Sequence, residues 1–524
     1  MPDTSTDIKP KPSARKKSAR KKLYALHSWL GFHLAAIMAL VLATGTMATI
    51  SHEVDWVFQH DMRVIPDGEQ VSWGEMQSAV QAYKPGATIG SLTKMQGDFF
   101  AYRADVTDEY GQRRFVHVNQ WTGEVTGETH PMTVQRVFRD LHRYLFMPNF
   151  IGLPIVTSLA FVLAVALYTG LKTTRNWRTL LFRVRTDKGA RIMWGDAHKA
   201  SGLWGIWFFV VMIVTGIWYL IEFGVGINYV VNDKPNPIPS ALLSVEQVVE
   251  IGQVMPTQDL DAVVEAAQAA YPGLNIKLIS FPRAANGTYF VQGMVGNPLI
   301  RPRSNGVFLH PETLDVLQVR KSKDYPAFFY VNEMADPLHF GYFGGLPTKL
   351  IWFVFGIAMT GLSITGVWLT WRRLKTMSPS KAQYATLPVL VLSMYFFTIW
   401  FERFQYPTPP NEEATFGTAA LGEVSARATL ARASADAEEN TLRFAVLAET
   451  GKPMVKTASL QIWSDTQLLQ DIPDLRFRGL RQTAIIEQAL SASDVQDAAR
   501  IRASVVFNDE SVGVFEITRA PDPA

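Results

Sequence analysis

Two histidines of this sequence open long apolar runs in the same register. His27 precedes the run 28–50, and His198 precedes the run 200–221. In each run a Thr-Gly pair follows the histidine at the same distance along the chain. A histidine buried in a membrane needs partners for its ring nitrogens, so both residues are candidates for a functional site. The matched register predicts that the two runs are corresponding halves of one site.

A second pair of histidines, His142 and His339, precedes the other two long apolar runs. Neutral imidazole is a common ligand of haem iron. Pairing by depth places His27 with His198 near one membrane face and His142 with His339 near the other. We therefore predict that these four histidines are the axial ligands of two haems. An iron with two histidine ligands has no open position, which would suit electron transfer rather than oxygen binding. The alternative is that each histidine only caps a helix or reaches into the headgroup region.

The chain has 524 residues and no cysteine. Disulfides, iron–sulfur clusters, thiol catalysis and thioether-attached haem are therefore excluded, and the expected cofactor is haem b. Neither an H-E-x-x-H zinc motif nor a Gly-rich nucleotide fingerprint is present, so zinc and directly bound NAD(P)H or FAD are not expected. His33 lies off the helical face of His27. It is a candidate reserve ligand, propionate partner or quinol-site residue, with simple packing as the alternative.

Five stretches are long and apolar enough to cross a bilayer core of about 30 Å. The composition is 48% hydrophobic and 19% charged, which is apolar for a soluble protein of this size. The expected fold class is an α-helical integral membrane protein with a four-helix core, with membrane lipid and not nucleic acid as a partner. The predicted spans are 23–50, 150–171, 198–223, 348–371 and the shorter 384–401, which contains Pro388.

Basic residues in the connections predict the orientation of these spans. The tail 1–22 and the loops 172–197 and 372–383 are rich in Lys and Arg and fall on one side, which is predicted to be the cytoplasm. The tail cannot bury a core and is expected to be disordered. The first apolar run is too long for a signal peptide and is interpreted as an uncleaved anchor. The segments 51–149 and 224–347, and the chain after the fifth span, are then periplasmic.

The two outer segments repeat one order of predicted elements. Each starts with a helix closed by Pro-Gly, at 73–80 and at 260–271, and continues into alternating strand-like runs. The chain thus has the order span, small α+β domain, span, twice over, and a tandem duplication is the simplest explanation. Residues 402–524 are predicted to form a Pro-rich linker and a small accessory domain with several strands. Within them the Ala-rich stretch 418–439 is expected to be helical or loose.

The ordered set of motifs around the four histidines resembles the PepSY-associated transmembrane family, and the outer segments resemble PepSY domains. The resemblance implies a haem-containing protein of the bacterial inner membrane that reduces ferric siderophores or other ferric chelates in the periplasm and releases Fe(II). It covers about residues 23–375, on the motifs L-H-S-W-L-G at 26–31, T-G-T at 44–46, L-H-R-Y-L-F at 141–146, G-D-A-H at 195–198 and P-L-H-F-G at 337–341.

The sequence departs from the family pattern in two places. Phe208 and Phe209 stand where many relatives carry another histidine, which argues against a third haem there, and the chain from Tyr384 onwards does not match. The electron donor stays open between a quinol and a cytoplasmic reductase. The alternative functions are a membrane-anchored PepSY regulatory or binding protein without redox activity and a siderophore transporter. The transporter is disfavoured because the spans lack intramembrane carboxylates.

Overall fold

The structure is a computed structural model, and it describes residues 14–108, 111–374, 381–404, 413–432, 439–448, 451–477 and 484–520. The chain divides into two compact units. We call the first the helical unit and the second the β-rich unit. The helical unit is drawn from Met1–Asp55, Met132–Pro235 and Val331–Arg403, and the β-rich unit from Trp56–Pro131, Asn236–Tyr330 and Phe404–Ala524. The segment that carries His142 therefore belongs to the helical unit, and not to the predicted outer domain 51–149.

The α-helices of the described chain are distributed over both units. They are α1 (Ala14–His33), α2 (Ala35–Thr49), α3 (Ser51–Phe58), α4 (Trp73–Tyr83), α5 (Val134–Tyr144), α6 (Asn149–Thr173), α7 (Trp177–Leu180), α8 (Ala190–Trp204), α9 (Ile206–Val231), α10 (Val245–Ile251), α11 (Leu260–Ala270), α12 (Ala327–Phe340), α13 (Gly345–Leu374), α14 (Lys381–Glu402) and α15 (Ala492–Asp497).

The β-strands lie in the β-rich unit. They are β1 (Thr88–Thr93), β2 (Tyr102–Thr107), β3 (Arg113–Val118), β4 (Val125–Thr129), β5 (Val254–Met255), β6 (Asn275–Ser280), β7 (Tyr289–Met294), β8 (Gly306–Leu309), β9 (Val316–Arg320), β10 (Glu413–Leu421), β11 (Val424–Arg432), β12 (Glu439–Ala448), β13 (Lys452–Pro453), β14 (Val455–Trp463), β15 (Leu468–Arg476), β16 (Ala484–Ser491), β17 (Arg500–Phe507) and β18 (Val512–Thr518).

Three helices among the described residues, α6, α9 and α13, are long and apolar enough to cross a membrane. The pair α1 and α2 is a fourth candidate if it counts as one span, although the two helices are bent by 69° at their junction. The apolar part of α14, Pro388–Glu402, is shorter than these. The chain is therefore a membrane protein. Three or four of its described helices or helix pairs qualify as spans, and the fifth span stays a prediction.

The predicted first and third spans are each interrupted. Leu34 leaves the helical conformation between α1 and α2, with φ −102° and ψ 5°. Gly205 separates α8 from α9, so the third span starts after this break and continues to Val231. Glycine weakens a helix interior, which accounts for the second break, whereas no Gly or Pro marks the first. His198 thus lies on the separate helix α8, not at the start of a continuous span.

The predicted disorder of the basic tail is wrong for residues 14–22, which form the first turns of α1. Their composition of Ala, Arg and Lys explains the difference, because these residues have high helix propensity. Residues 1–13 of the tail lie outside the described residues. The predicted loop 172–197 also contains regular structure, namely α7 and the beginning of α8.

An eight-stranded antiparallel sheet forms the first part of the β-rich unit, in the order β4-β3-β2-β1-β6-β7-β8-β9. Its two halves meet where β1 pairs with β6, with Leu92 opposite Ile279. Each half is preceded by one helix, α4 or α11, and residues of both helices share a core with the sheet. The helix predictions at 73–80 and 260–271 match α4 and α11. Strand β1, which joins the halves, was missed.

The accessory domain consists of two four-stranded antiparallel sheets, β10-β11-β12-β16 and β15-β14-β17-β18, which share one buried core. We call it the C-terminal sandwich. The expectation that 418–439 is helical or loose is wrong for its described part, which forms β10 and β11. Ala426 and Ala428 are fully buried and alternate with more exposed residues. Small side chains thus occupy the buried positions of the two-residue alternation that is typical of a strand. The predicted Pro-rich linker at 406–410 lies outside the described residues.

Candidate functional site

His27 on α1 and His198 on α8 face each other in the helical unit. Their ring centroids are 6.4 Å apart and their ring planes are inclined by 77°. The Nδ1 atom of His27 lies 3.0 Å from the carbonyl oxygen of Ala166 and 3.1 Å from the hydroxyl of Thr169. The Nδ1 atom of His198 lies 3.0 Å from the hydroxyl of Thr365. One nitrogen of each ring is therefore engaged by a neighbouring long helix.

His142 on α5 and His339 on α12 form a second pair of the same kind. Their ring centroids are 6.0 Å apart and their planes are inclined by 35°. The Nδ1 atom of His142 lies 2.8 Å from the carbonyl oxygen of Val41. The Nδ1 atom of His339 lies 2.8 Å from the hydroxyl of Thr215. The structure thus brings together the two pairs that the sequence suggested, and places both members of the second pair on short helices rather than on spans.

The hydrogen-bond partners fix the tautomer of the four rings. A carbonyl oxygen can only accept, so His27 and His142 donate through Nδ1–H. The hydroxyls of Thr365 and Thr215 already donate to the backbone oxygens of Gly361 and Val211, both at 2.7 Å. These hydroxyls therefore accept from Nδ1–H of His198 and His339. The Nε2 atom of every ring is left with a lone pair, the arrangement that metal-ligating histidines commonly have.

The spacing of the rings fits one metal ion between each pair. A bond from a first-row metal to imidazole nitrogen is about 2.0 Å, so two rings on opposite sides of one ion have centroids about 6.2 Å apart. The observed separations are 6.4 Å for one pair and 6.0 Å for the other. Among the described residues there is no cluster of three or more His, Asp or Glu that could hold a metal ion. Two imidazole donors in each pair suit a group that would supply the remaining ligands itself, as haem would.

Each of the four histidines meets a Thr-Gly pair of a long helix. A Cβ atom on Gly45 would lie 2.6 Å from Cε1 of His142, and one on Gly170 would lie 3.2 Å from Cε1 of His27. The glycines thus leave room for the rings. Sequence reasoning found the pairs at 44–45 and 215–216 but missed those at 169–170 and 365–366, although the same dipeptide recurs in the second and fourth apolar runs. The pairings are His142 with Thr44-Gly45, His27 with Thr169-Gly170, His339 with Thr215-Gly216 and His198 with Thr365-Gly366.

A cavity of about 210 Å³ adjoins the second pair. His142 and His339 line it together with apolar side chains, and two guanidinium groups, Arg139 and Arg143, also lie on its wall. Phe208 is buried and forms part of this wall. Asp336 lines the cavity as well, so the site combines two imidazoles, a mainly apolar interior and a charged edge of two arginines and one aspartate.

His33 is buried in the last turn of α1, and its ring packs 4.9 Å from the ring of Trp29 and 5.4 Å from that of Phe32. It does not line the cavity beside the second pair. These contacts favour the packing alternative for His33 over the role of a haem ligand. Packing against these two aromatic rings accounts for the buried position of His33 without an iron.

Two histidines of the β-rich unit, His117 and His310, are buried and have structural roles. His117 lies in the sheet core with Nε2 2.8 Å from the hydroxyl of Thr129. Burial, assisted by Arg103, lowers its pKa to about 3, so the ring is neutral at physiological pH. The Nδ1 atom of His310 accepts from the backbone N–H groups of Glu312 and Thr313 and so closes a turn.

The buried carboxylate of Asp55 positions the helix that carries His142. It accepts hydrogen bonds from the first two backbone N–H groups of α5, those of Val134 at 2.7 Å and Gln135 at 3.0 Å. Asp55→Ala leaves these donors unsatisfied, and we expect it to lower stability by about 1–3 kcal/mol. Thermal unfolding of the detergent-purified protein, followed by circular dichroism, measures the change. A Tm equal to that of the exposed control Asp187→Ala would contradict this role.

Comparison with known proteins identifies the family of this chain. The family model described as the PepSY-associated TM region matches residues 24–373. The match includes both histidine pairs and ends before α14 and the C-terminal sandwich. A search of curated proteins finds no match. Since more than half of the chain is matched, the protein belongs to the family of the PepSY-associated TM region.

Proposed function

We propose that this chain is a di-haem membrane protein that carries electrons to a ferric siderophore or another ferric chelate and releases the iron as Fe(II). The observation that carries the proposal is the geometry of the two histidine pairs. In both, the ring centroids lie close to the distance expected across one metal ion, and every Nδ1 atom is engaged while Nε2 is available. Haem b held there would supply one-electron redox chemistry.

The side chains around the second pair support this role. His142 and His339 would hold the iron, and their hydrogen bonds to Val41 and Thr215 keep Nε2 unprotonated. Arg139 and Arg143 on the cavity wall suit the carboxylate groups of a haem, because guanidinium groups bind carboxylates strongly. Apart from these arginines and Asp336, the wall is mainly apolar, as the surroundings of a haem would be.

The two pairs lie at different heights of the same bundle. On α13, Thr365 accepts from His198 of one pair, and Gly356 lines the cavity of the other pair. At 1.5 Å per residue, these positions are about 14 Å apart along the helix axis. Two redox sites separated in this way along a membrane helix support the transfer of electrons across the bilayer rather than within one face.

The orientation and organisation are further parts of the proposal. The membrane is the bacterial inner membrane, with the basic segments cytoplasmic and the β-rich unit periplasmic, because the positive-inside rule favours that side. The bent pair α1–α2 and the helix α14 count as spans. The halves of the eight-stranded sheet arise from a tandem duplication, which their common order of one helix and four strands supports. A quinol or a cytoplasmic reductase supplies the electrons.

The proposed reaction is tested with the reduced protein under anaerobic conditions. The detergent-purified protein is reduced with dithionite, freed of excess reductant and mixed with ferric citrate or a ferric hydroxamate siderophore. Each Fe(III) takes one electron from the protein, so we expect spectral reoxidation with one Fe(II), captured by ferrozine, per electron lost. The corresponding gallium(III) chelates are the control, since they cannot be reduced. A reduced protein that stays reduced with every ferric chelate would overturn the proposed acceptor class.

A further inference from the structure

The β-rich unit contains a cavity of about 490 Å³ between the eight-stranded sheet and the C-terminal sandwich. This volume lies in the range of about 300–1,000 Å³ that is usual for small-molecule sites. The sheet side supplies the turn between α4 and β1, with Lys84, and residues around Phe281 and Tyr289. The sandwich side supplies residues of β11, β12 and β13. The family match ends before the sandwich begins, so this cavity is built partly by residues outside the matched region.

All described charged side chains that line the cavity are positively charged. Lys84, Arg427, Arg443 and Lys452 line the cavity, and no described residue of the lining is Asp or Glu. Lys84 pairs with Glu128 at 2.7 Å and Arg443 pairs with Glu487 at 3.0 Å, and both of these carboxylates lie outside the lining. The side chains of Lys84 and Arg443 are only 23% and 13% exposed. A partly buried wall of this kind attracts anions, because low solvent exposure strengthens the interaction.

The backbone around Lys452 is fixed by the docking of the sandwich. Strand β13 pairs with β5, with Lys452 opposite Met255. The preceding Gly451 has φ +84°, and a Cβ atom there would collide with the backbone oxygen of Met255. The Nζ atom of Lys452 donates to the backbone oxygen of Arg283. The hydrogen bond to Arg283 therefore holds the ammonium group, and the pairing with β5 holds the backbone that carries it.

We propose that this cavity binds a small anion rich in carboxylate oxygens. Arginine and lysine together suit such a ligand, since guanidinium groups engage carboxylates in pairs of hydrogen bonds and ammonium groups add a compact charge. Resting on the proposed function, the anion is the negatively charged carboxylate chelate of ferric iron that the protein reduces. The C-terminal sandwich then forms half of a substrate site.

Binding at this cavity depends on pH through Lys452. Burial lowers the pKa of Lys452 to about 8, so the group is charged at pH 7 and loses its proton as the pH rises above 8. The charges facing it are Lys84, Arg427 and Arg443, and Tyr289 does not titrate in this range because burial raises its pKa to about 12. A bound anion favours the protonated amine, so the association constant falls by up to about tenfold per pH unit above 8. In Lys452→Arg, which stays charged, this fall is absent.

The experiment measures binding of gallium(III) citrate to the full-length protein by isothermal titration calorimetry at pH 7. Gallium is not reduced, so binding is read independently of electron transfer. We expect Arg427→Gln and Lys452→Gln each to weaken binding at least about tenfold. Arg502→Gln, on an exposed part of the sandwich, is the matched control and keeps wild-type affinity.

Three outcomes overturn the inference, namely no binding of gallium citrate, equal binding by wild type and both cavity variants, and binding of inorganic phosphate in place of the chelate. The haem content of the same samples is also measured, so that a failure of chelate binding can be distinguished from a failure of the proposed redox function. Chelate binding that is lost in the cavity variants supports the site even in a protein without haem. Reduction of ferric citrate at the wild-type rate by both variants overturns the site and leaves the redox function standing.

Discussion

Alanine in place of any one of the four paired histidines is expected to remove one haem and to leave the other. His27→Ala and His198→Ala should lose the same haem, because the two rings lie opposite each other as one proposed ligand pair. His142→Ala and His339→Ala lose the other haem for the same reason. Haem per chain, measured as the pyridine haemochrome after purification in detergent, falls by half in every single variant.

Double variants test whether the two histidines of a pair hold the same haem. His27→Ala combined with His198→Ala should lose no more haem than either change alone, whereas His27→Ala combined with His142→Ala should lose both haems. His60→Ala, an exposed histidine of the β-rich unit, is the control and retains the wild-type content. Equal loss in the two double variants would show that the pairing inferred from the ring positions is wrong.

Gly45→Ala is expected to displace His142 and to reduce the haem bound by the second pair. The added Cβ would lie 2.6 Å from Cε1 of a ring that is already held by the backbone oxygen of Val41. Real Cβ atoms do not approach other atoms so closely, so the ring must move away from its place opposite His339. We expect optical spectra to show this loss, while the signal of the haem proposed at His27 and His198 stays at its wild-type level.

A second glycine provides the control for Gly45→Ala. A Cβ on Gly361, in α13, meets no atom within 4 Å, so Gly361→Ala fills open space and favours the helix by about 1 kcal/mol. We expect Gly361→Ala to bind both haems. Gly170→Ala, with its contact of 3.2 Å to His27, should affect the other pair and to a smaller extent. A wild-type spectrum in Gly45→Ala would contradict the close packing of His142 on α2.

The long apolar helices and the matched histidines were accessible from the sequence because each depends on local pattern. The length of an apolar run predicts the length of a span. The equal distance from His27 and from His198 to a Thr-Gly pair indicates that the same arrangement occurs twice. The breaks at Leu34 and Gly205 were not accessible, since a helix can end inside an apolar run without a change in hydropathy. For this reason His198 was assigned to a span, although it lies on the preceding helix.

The partners of the rings could not be predicted from one sequence. Whether Thr169 or Thr365 meets a histidine depends on how each helix is rotated in the bundle, which composition does not determine. Strand β1 was missed because its sequence, with Gly90 and buried residues in succession, lacks the alternation expected of a half-exposed strand. In the sandwich, alternating alanines carried the strand pattern that larger side chains usually show.

The measurement that most directly tests the central claim is the haem content of the wild-type protein, purified in detergent from cells supplied with haem precursor. Absorbance spectra are recorded oxidised and after dithionite, and haem is quantified against protein. We predict two b-type haems per chain, both low-spin because each iron has two histidine ligands. A protein that is colourless under these conditions would contradict the claim.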